Sequence, residues 1–150
     1  MNAYSIETLR QLAKRRLPRA VFDFIDGGAE DESTLRGNRA AFEKVRLLRK
    51  VLVGVSQVNT ETSILGKAAK LPLAIAPTGA VGFGWRGGDI AVARAAAAYG
   101  IPFSLSTSAT ASIEKIAQAA PGRHWFQAYF FKDREYTFGL IERARRATTR

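Results

Sequence analysis

Cysteine is absent from the 150 residues, which removes disulfide frameworks, the usual zinc fingers and thiol nucleophiles together. A reducing cytosol is the default compartment. Histidine occurs once, as His124, and acidic residues are outnumbered by basic ones, 13 to 23. No apolar run approaches the roughly 18 residues needed to cross a bilayer. Arg94 interrupts the alanine-rich segment, and Pro77, Gly79, Gly82 and Gly84 break the one before it. The segment Met1 to Leu9 contains Glu7 and no apolar run, so neither a signal peptide nor a transit peptide is expected.

What is present has the composition of one soluble domain, 47% hydrophobic and 24% charged. The formal charge of +10 and the pI near 10.5 raise nucleic acid or an anionic membrane face as partners. The distribution argues against nucleic acid. Basic residues cluster at Arg10, Lys14, Arg15, Arg16 and Arg19, and again at Arg143, Arg145, Arg146 and Arg150, without the interleaved aromatics of a base-stacking surface. Solvated helix faces explain both clusters.

Residues 1–45 are expected to form a helical extension. Ser5 caps a helix with Ile6, Leu9, Leu12, Ala13 and Leu17 at helical spacing. Pro18 opens a second helix carrying Ala20, Val21, Phe24 and Ile25, which Gly27-Gly28 stops. A third, charge-rich helix is placed at Asp31 to Phe42. Residues 46–70 read as an irregular β segment, with β-prone runs at Leu47 to Val55 and Thr62 to Leu65. From 71 to 147 the pattern alternates. LPLAIAP is a short buried strand, Asp89 to Tyr99 a helix closed by Gly100, and Ile101 to Leu105 a second strand. Ser112 to Ala120 is a helix, Trp125 to Phe131 a third strand, and Asp133 caps a last helix to about Ala147. Strands alternating with helices over short connections predict an α/β fold with a parallel sheet. No domain boundary is expected within residues 1–150.

Functional groups of parallel α/β folds gather at the carboxyl ends of the strands. Here those ends carry Ala76-Pro77-Thr78-Gly79, Leu105-Ser106-Thr107 and Phe126-Gln127-Ala128-Tyr129. A hydroxyl, a carboxamide, backbone N–H groups and a phenol suit a flat heterocycle with alternating donors and acceptors, and do not suit a metal. Equally, Ser106 and Gln127 could satisfy only local backbone groups. Gly82-Phe83-Gly84-Trp85-Arg86-Gly87 matches the dinucleotide fingerprint in spelling but not in context. Its first glycine lies well beyond the strand end, and no acidic residue stands between Pro102 and Thr110 to hold a ribose. An active-site loop is the better reading. His124, at the start of the third strand, falls on the face opposite the loops and is expected to be a surface or structural histidine. The acidic run from Asp23 to Glu32 lacks calcium-loop spacing.

Four motifs in register carry a resemblance: LPRAVFDFIDGGAEDESTLRGNRAAFEKVRLL, LPLAIAPTGAVG, GIPFSLSTSATASIEKIA and WFQAYFFKDR. Over about residues 4 to 146 the sequence resembles the amino-terminal part of the FMN-dependent 2-hydroxy acid dehydrogenases and oxidases. The resemblance implies an incomplete (β/α)8 barrel of about three βα units, with FMN as cofactor. It implies that Ala76, Pro77 and Thr78 line the flavin ring, that Ser106 and Gln127 hydrogen-bond its polar edge, and that Tyr129 contacts the substrate. Phe24 takes the place of a tyrosine that usually helps hold the substrate carboxylate, and losing that phenol would cost about 1 to 3 kcal/mol of binding.

The implied reaction is oxidation of a small lactate-, mandelate- or glycolate-like 2-hydroxy acid to the 2-oxo acid, with quinone, cytochrome or oxygen as electron acceptor. Full-length relatives are expected to be oligomers, cytoplasmic or peripheral to the inner membrane face. The family's general-base histidine, carboxylate-binding arginines and phosphate loops come later than residue 150, so inactivity of this chain alone is expected. The alternatives are a non-catalytic basic fragment binding nucleic acid or anionic membrane, and a gene fragment without function.

Overall fold

The computed structural model describes residues 3–148. The chain divides after Gln57 into two compact units. In the first, α1 (Ile6–Arg16) starts at Ser5, whose hydroxyl accepts from the Thr8 N–H at 3.1 Å. Its last turn is basic, as a helix carboxyl terminus favours. Pro18 then opens α2 (Arg19–Asp26), and Arg10 ties the two helices by gripping the Asp26 carboxylate with Nε and Nη2, the latter at 2.7 Å. That grip holds the Asp26 carboxyl below its usual range. Phe22 is the buried residue of α2.

The third helix, α3 (Ser33–Glu43), begins later than the expected Asp31, because Glu32 adopts a left-handed backbone with φ of 55°. Its carboxylate accepts from the Gly28 N–H at 3.1 Å, which anchors the turn. The β-prone run Leu47 to Val55 forms no strand and is exposed throughout. A ladder needs a second segment, and no described segment pairs with it.

The second unit opens on a hairpin of β1 (Thr62–Ile64) and β2 (Lys67–Ala69), paired antiparallel. Leu65 and Gly66 both have positive φ, 47° and 72°, the geometry of a two-residue type I′ turn. This local pairing satisfies Thr62 to Ile64 without the earlier run. Arg123 Nη1 donates to the Lys67 carbonyl at 3.3 Å, and Lys70 N donates to the Gly100 carbonyl at 3.2 Å. Gly100 and Arg123 both lie just before parallel strands, so the hairpin sits at the sheet's amino-terminal end.

The expected LPLAIAP strand is reduced to one parallel bridge, Ile75 to Phe103. Pro72 and Pro77 lack the N–H groups a longer ladder needs. A short turn, α4 (Val81–Gly84), and α5 (Gly88–Ala98) follow. Next comes β3 (Phe103–Ser106), buried at every position, then α6 (Ile113–Ala119), β4 (His124–Gln127) and α7 (Arg134–Thr148). β3 and β4 pair in parallel, Phe103 with His124 through Ser106 with Gln127. β4 ends before the expected Phe131 because the Tyr129 N–H leaves the ladder for the Thr107 hydroxyl, at 3.1 Å.

Ala93 and Ala96 of α5 pack with Ile101, Phe103, Leu105, Ile116 and Ala120 as the core of this unit. Small residues let α5 lie close against the sheet. Asp133 caps α7 as expected, its Oδ1 accepting from Tyr136 N at 3.1 Å. The result is an α/β fold whose parallel strands run from Ile75 through β3 to β4.

Candidate functional site

The register fixes which residues share an end of the sheet. Ile75, Phe103 and His124 are aligned, and Thr78, Ser106 and Gln127 each follow three residues later. Ala76, Pro77 and Thr78 are exposed there. The first loop lies directly against the second. Ala80 N donates to the Ser108 carbonyl at 3.0 Å, and a Cβ on Gly79 would stand 3.0 Å from that of Ser108.

Ser106, Thr107 and Gln127 form one network. The Gln127 carboxamide oxygen accepts from Ser106 Oγ and from Thr107 N, both at 3.3 Å. Ser106 Oγ accepts in turn from Ser108 N at 3.1 Å. Thr107 Oγ1 donates to the Gln127 backbone carbonyl and accepts from Tyr129 N. The orientation of the Gln127 amide follows from chemistry, since the Thr107 N–H can only donate and must face the oxygen. The NH2 then has no partner among the described residues. It remains a double donor at the same end of the sheet as the exposed Ala76–Thr78 backbone, one strand removed from it, and an acceptor edge of a flat ring could span the two. Ser106, by contrast, is buried and already both donates and accepts, so local satisfaction and support of Gln127 account for it without a ligand. Tyr129 is 58% exposed on the same loop end.

Thr107 falls within the strand end Leu105-Ser106-Thr107, but the pattern assigns it no role of its own. Its position inside Ser104-Leu105-Ser106-Thr107-Ser108 is the only trace it leaves, because four hydroxyl residues in five look alike until the register is known. The glycine-rich spelling also acquires a cause. A Cβ at Gly82 would meet Thr110 Oγ1 at 2.4 Å, and one at Gly88 would meet Val81 Cγ1 at 2.6 Å, so both glycines permit close packing.

His124 lies at the opposite end of β4, edge-on to Phe103 with ring centroids 6.1 Å apart. Burial lowers its pKa from the ordinary value, and its Nε2 is buried without a partner among the described residues. A hollow of about 690 Å3 between α6 and α7 includes His124, Glu114, Arg143 and Arg146. Its charged groups are paired: Arg143 grips both oxygens of Glu114, at 2.8 and 3.0 Å, and Arg146 pairs with Glu142 outside the hollow. Phe24 lies on α2 in the first unit, 72% exposed. Among the described residues no cluster of metal-ligating side chains occurs, and no helix is long and apolar enough to cross a membrane.

The sequence profile of the FMN-dependent dehydrogenases matches residues 13–150. The chain is 43% identical over 143 residues to (S)-mandelate dehydrogenase of Pseudomonas putida, which covers 95% of this chain and 36% of that protein. It is likewise 43% identical over 143 residues to L-lactate dehydrogenase of Pseudomonas syringae, covering 95% and 38%. The solved structure of the monotopic membrane protein (S)-mandelate dehydrogenase superposes with a TM-score of 0.90 at 42% identity, over 98% of this chain and 39% of that one. The chain thus spans a little over a third of the length of these relatives.

Proposed function

The chain belongs to the FMN-dependent dehydrogenase family, and on that footing we propose that it supplies one wall of an FMN site at which a small 2-hydroxy acid is oxidised to the 2-oxo acid. The family's cofactor is FMN. The observation that carries the reading is the loop-end network, in which the Gln127 oxygen is held by Ser106 and Thr107 while its NH2 is left unused at the same end of the sheet as exposed Ala76, Pro77 and Thr78, with β3 between. Such a donor set fits the carbonyl and ring-nitrogen acceptors of a flavin better than a cation or a phosphate. The βα order and the parallel register support an arrangement as the first units of a (β/α)8 barrel.

In this reading bound flavin would accept the two electrons released when the substrate's hydroxyl-bearing carbon is oxidised. Ala76, Pro77 and Thr78 would line the ring, and Gln127, steadied by Ser106, would donate to its polar edge. Tyr129 would meet the substrate, its backbone fixed by Thr107 so that the phenol is presented from a constant place. Phe24 would form an apolar part of the substrate pocket and give no hydrogen bond to the carboxylate. Peripheral contact with an anionic membrane face belongs to the proposal as well, supported by the +10 charge and by the monotopic relative. The electron acceptor would be a quinone, a cytochrome or oxygen.

The test is an NMR titration of the isotope-labelled chain with FMN up to millimolar concentration. Shifts should concentrate at the Gln127 side-chain NH2 and at the amides of Thr78 and Thr107. Shifts confined to the basic helices α1 and α7 would replace the flavin wall with a non-catalytic, anion-binding basic fragment. For Phe24, the check is Phe24→Tyr in a chimera carrying the remaining length of the Pseudomonas putida relative. KM for the hydroxy acid should fall by about fivefold or more while kcat changes by less than about twofold, as expected for a ground-state contact.

A further inference from the structure

Asp89 is a charged group that the proposed site does not use. It lies in the first turn of α5 and is only 3% exposed. Three donors converge on its Oδ2: the Thr110 N–H at 3.0 Å, the Ala111 N–H at 3.1 Å and the Thr110 hydroxyl. That hydroxyl accepts from Gly82 N at 3.2 Å. A continuous relay therefore runs from the glycine-rich loop through Thr110 to Asp89. Gly82 can approach only because it lacks a Cβ, which would stand 2.4 Å from the Thr110 oxygen.

The two loops joined in this way are those that carry the wall. One continues from Ala76, Pro77 and Thr78; the other continues from Ser106 and Thr107. Beside the relay, the Ala80 N–H donates to the Ser108 carbonyl across the same two loops. A carboxylate that accepts three hydrogen bonds at a helix amino terminus is a strong anchor, since each bond is charge-assisted and the helix dipole favours the negative group.

We propose that Asp89 is a positioning residue which, acting through Thr110, fixes the glycine-rich loop against the serine-rich loop and so presets the spacing between Thr78 and the Ser106–Gln127 pair for the flavin ring. The inference rests on the flavin reading above for its ligand, but the relay itself does not depend on that reading.

Asp89→Asn keeps the shape and removes the charge; Thr110→Val keeps the shape and removes the hydroxyl; Thr110→Ser restores the hydroxyl. Amide hydrogen exchange is measured on the 150-residue chain with its variants, followed by the FMN titration. In Asp89→Asn and Thr110→Val, exchange at Gly82, Thr110 and Ala111 should quicken by about tenfold, in line with the loss of a charge-assisted bond. The ladder amides of Ile75, Phe103 and Ser104 should keep wild-type protection, and Thr110→Ser should behave as wild type. The FMN concentration needed for half-maximal shift at Gln127 should rise by about tenfold in the first two variants only.

Unchanged exchange at the loop amides overturns the proposal. So does equal loosening of the ladder amides, which makes Asp89 a support of the whole unit, and so do loosened loops with unaltered FMN response. If FMN shifts nothing in the wild-type chain, the flavin reading fails, and exchange alone decides whether Asp89 fixes the loops.

Discussion

To bridge a backbone carbonyl and a backbone N–H, one hydroxyl must both donate and accept, and Thr107 does so between the Gln127 carbonyl and the Tyr129 N–H. Thr107→Val keeps the β-branched shape and leaves both backbone groups without their partner. A loss of about 1 to 3 kcal/mol is expected, read as a lower urea midpoint, with Thr107→Ser near wild type. Equal midpoints for the valine and serine variants would show that water replaces the hydroxyl at no cost. The strand-end positions of Ser106 and Gln127, with Tyr129 just beyond, could be read in the sequence because a polar residue after a buried run marks such an end. The role of Thr107 could not. Which hydroxyl of Ser104, Ser106, Thr107 and Ser108 turns toward β4 depends on a register of one residue, and composition holds no record of it. Asp89 was hidden for a similar reason, since an acidic residue in the first turn of a helix needs no explanation beyond the dipole.

Helices were legible from their ends: Ser5, Ser112 and Asp133 each accept the amide their position predicts. Strands were less so, because a ladder is a property of two segments. LPLAIAP has the apolar run of a buried strand, yet its prolines leave a single bridge at Ile75, and Leu47 to Val55 has β propensity without a partner. The α6–α7 pairing could not be read either, although the Glu114–Arg143 pair holds the Glu114 pKa down at about 2. β4 carries a titratable group whose sign can be worked out. Burial lowers the His124 pKa in the folded chain below the 6.5 of the free side chain. As pH falls below about 6.5 the unfolded chain takes up a proton that the folded chain resists, so stability declines until the buried ring is itself protonated. His124→Phe retains an edge contact for Phe103 and removes the titration. Its unfolding free energy should therefore vary less between pH 6.5 and 5 than that of the wild type, measured by urea unfolding at each pH. Parallel pH profiles would place the acid sensitivity elsewhere.

On the scale of the molecule, β4 pairs with β3 along one edge and, among the described residues, with nothing along the other. Parallel strands ordinarily lie between neighbours and beneath helices on both faces, so an open edge favours association with other chains. Exposed Leu47, Leu48, Val51 and Leu52 add apolar surface to the first unit. Uncovered area of this kind forgoes roughly 25 cal/mol per Å2 of burial. Oxidation of a hydroxy acid needs a base for the hydroxyl proton. His124 stands at the other end of the sheet, Asp89 is occupied by three donors, and Asp133 caps α7. Among the described residues, none of these three stands uncommitted at the strand ends to take that proton. The 150-residue polypeptide on its own is therefore expected to bind FMN weakly, to lose it on desalting, and to leave lactate and mandelate unoxidised. Light scattering over a concentration series should show association. The measurement is to add excess FMN, desalt, record the visible flavin spectrum and follow dye reduction with each acid. Stoichiometric flavin retained by a monodisperse monomer, with steady turnover, would mean that these residues alone complete a closed site, and both the open edge and the missing base would have to be given up as its determinants.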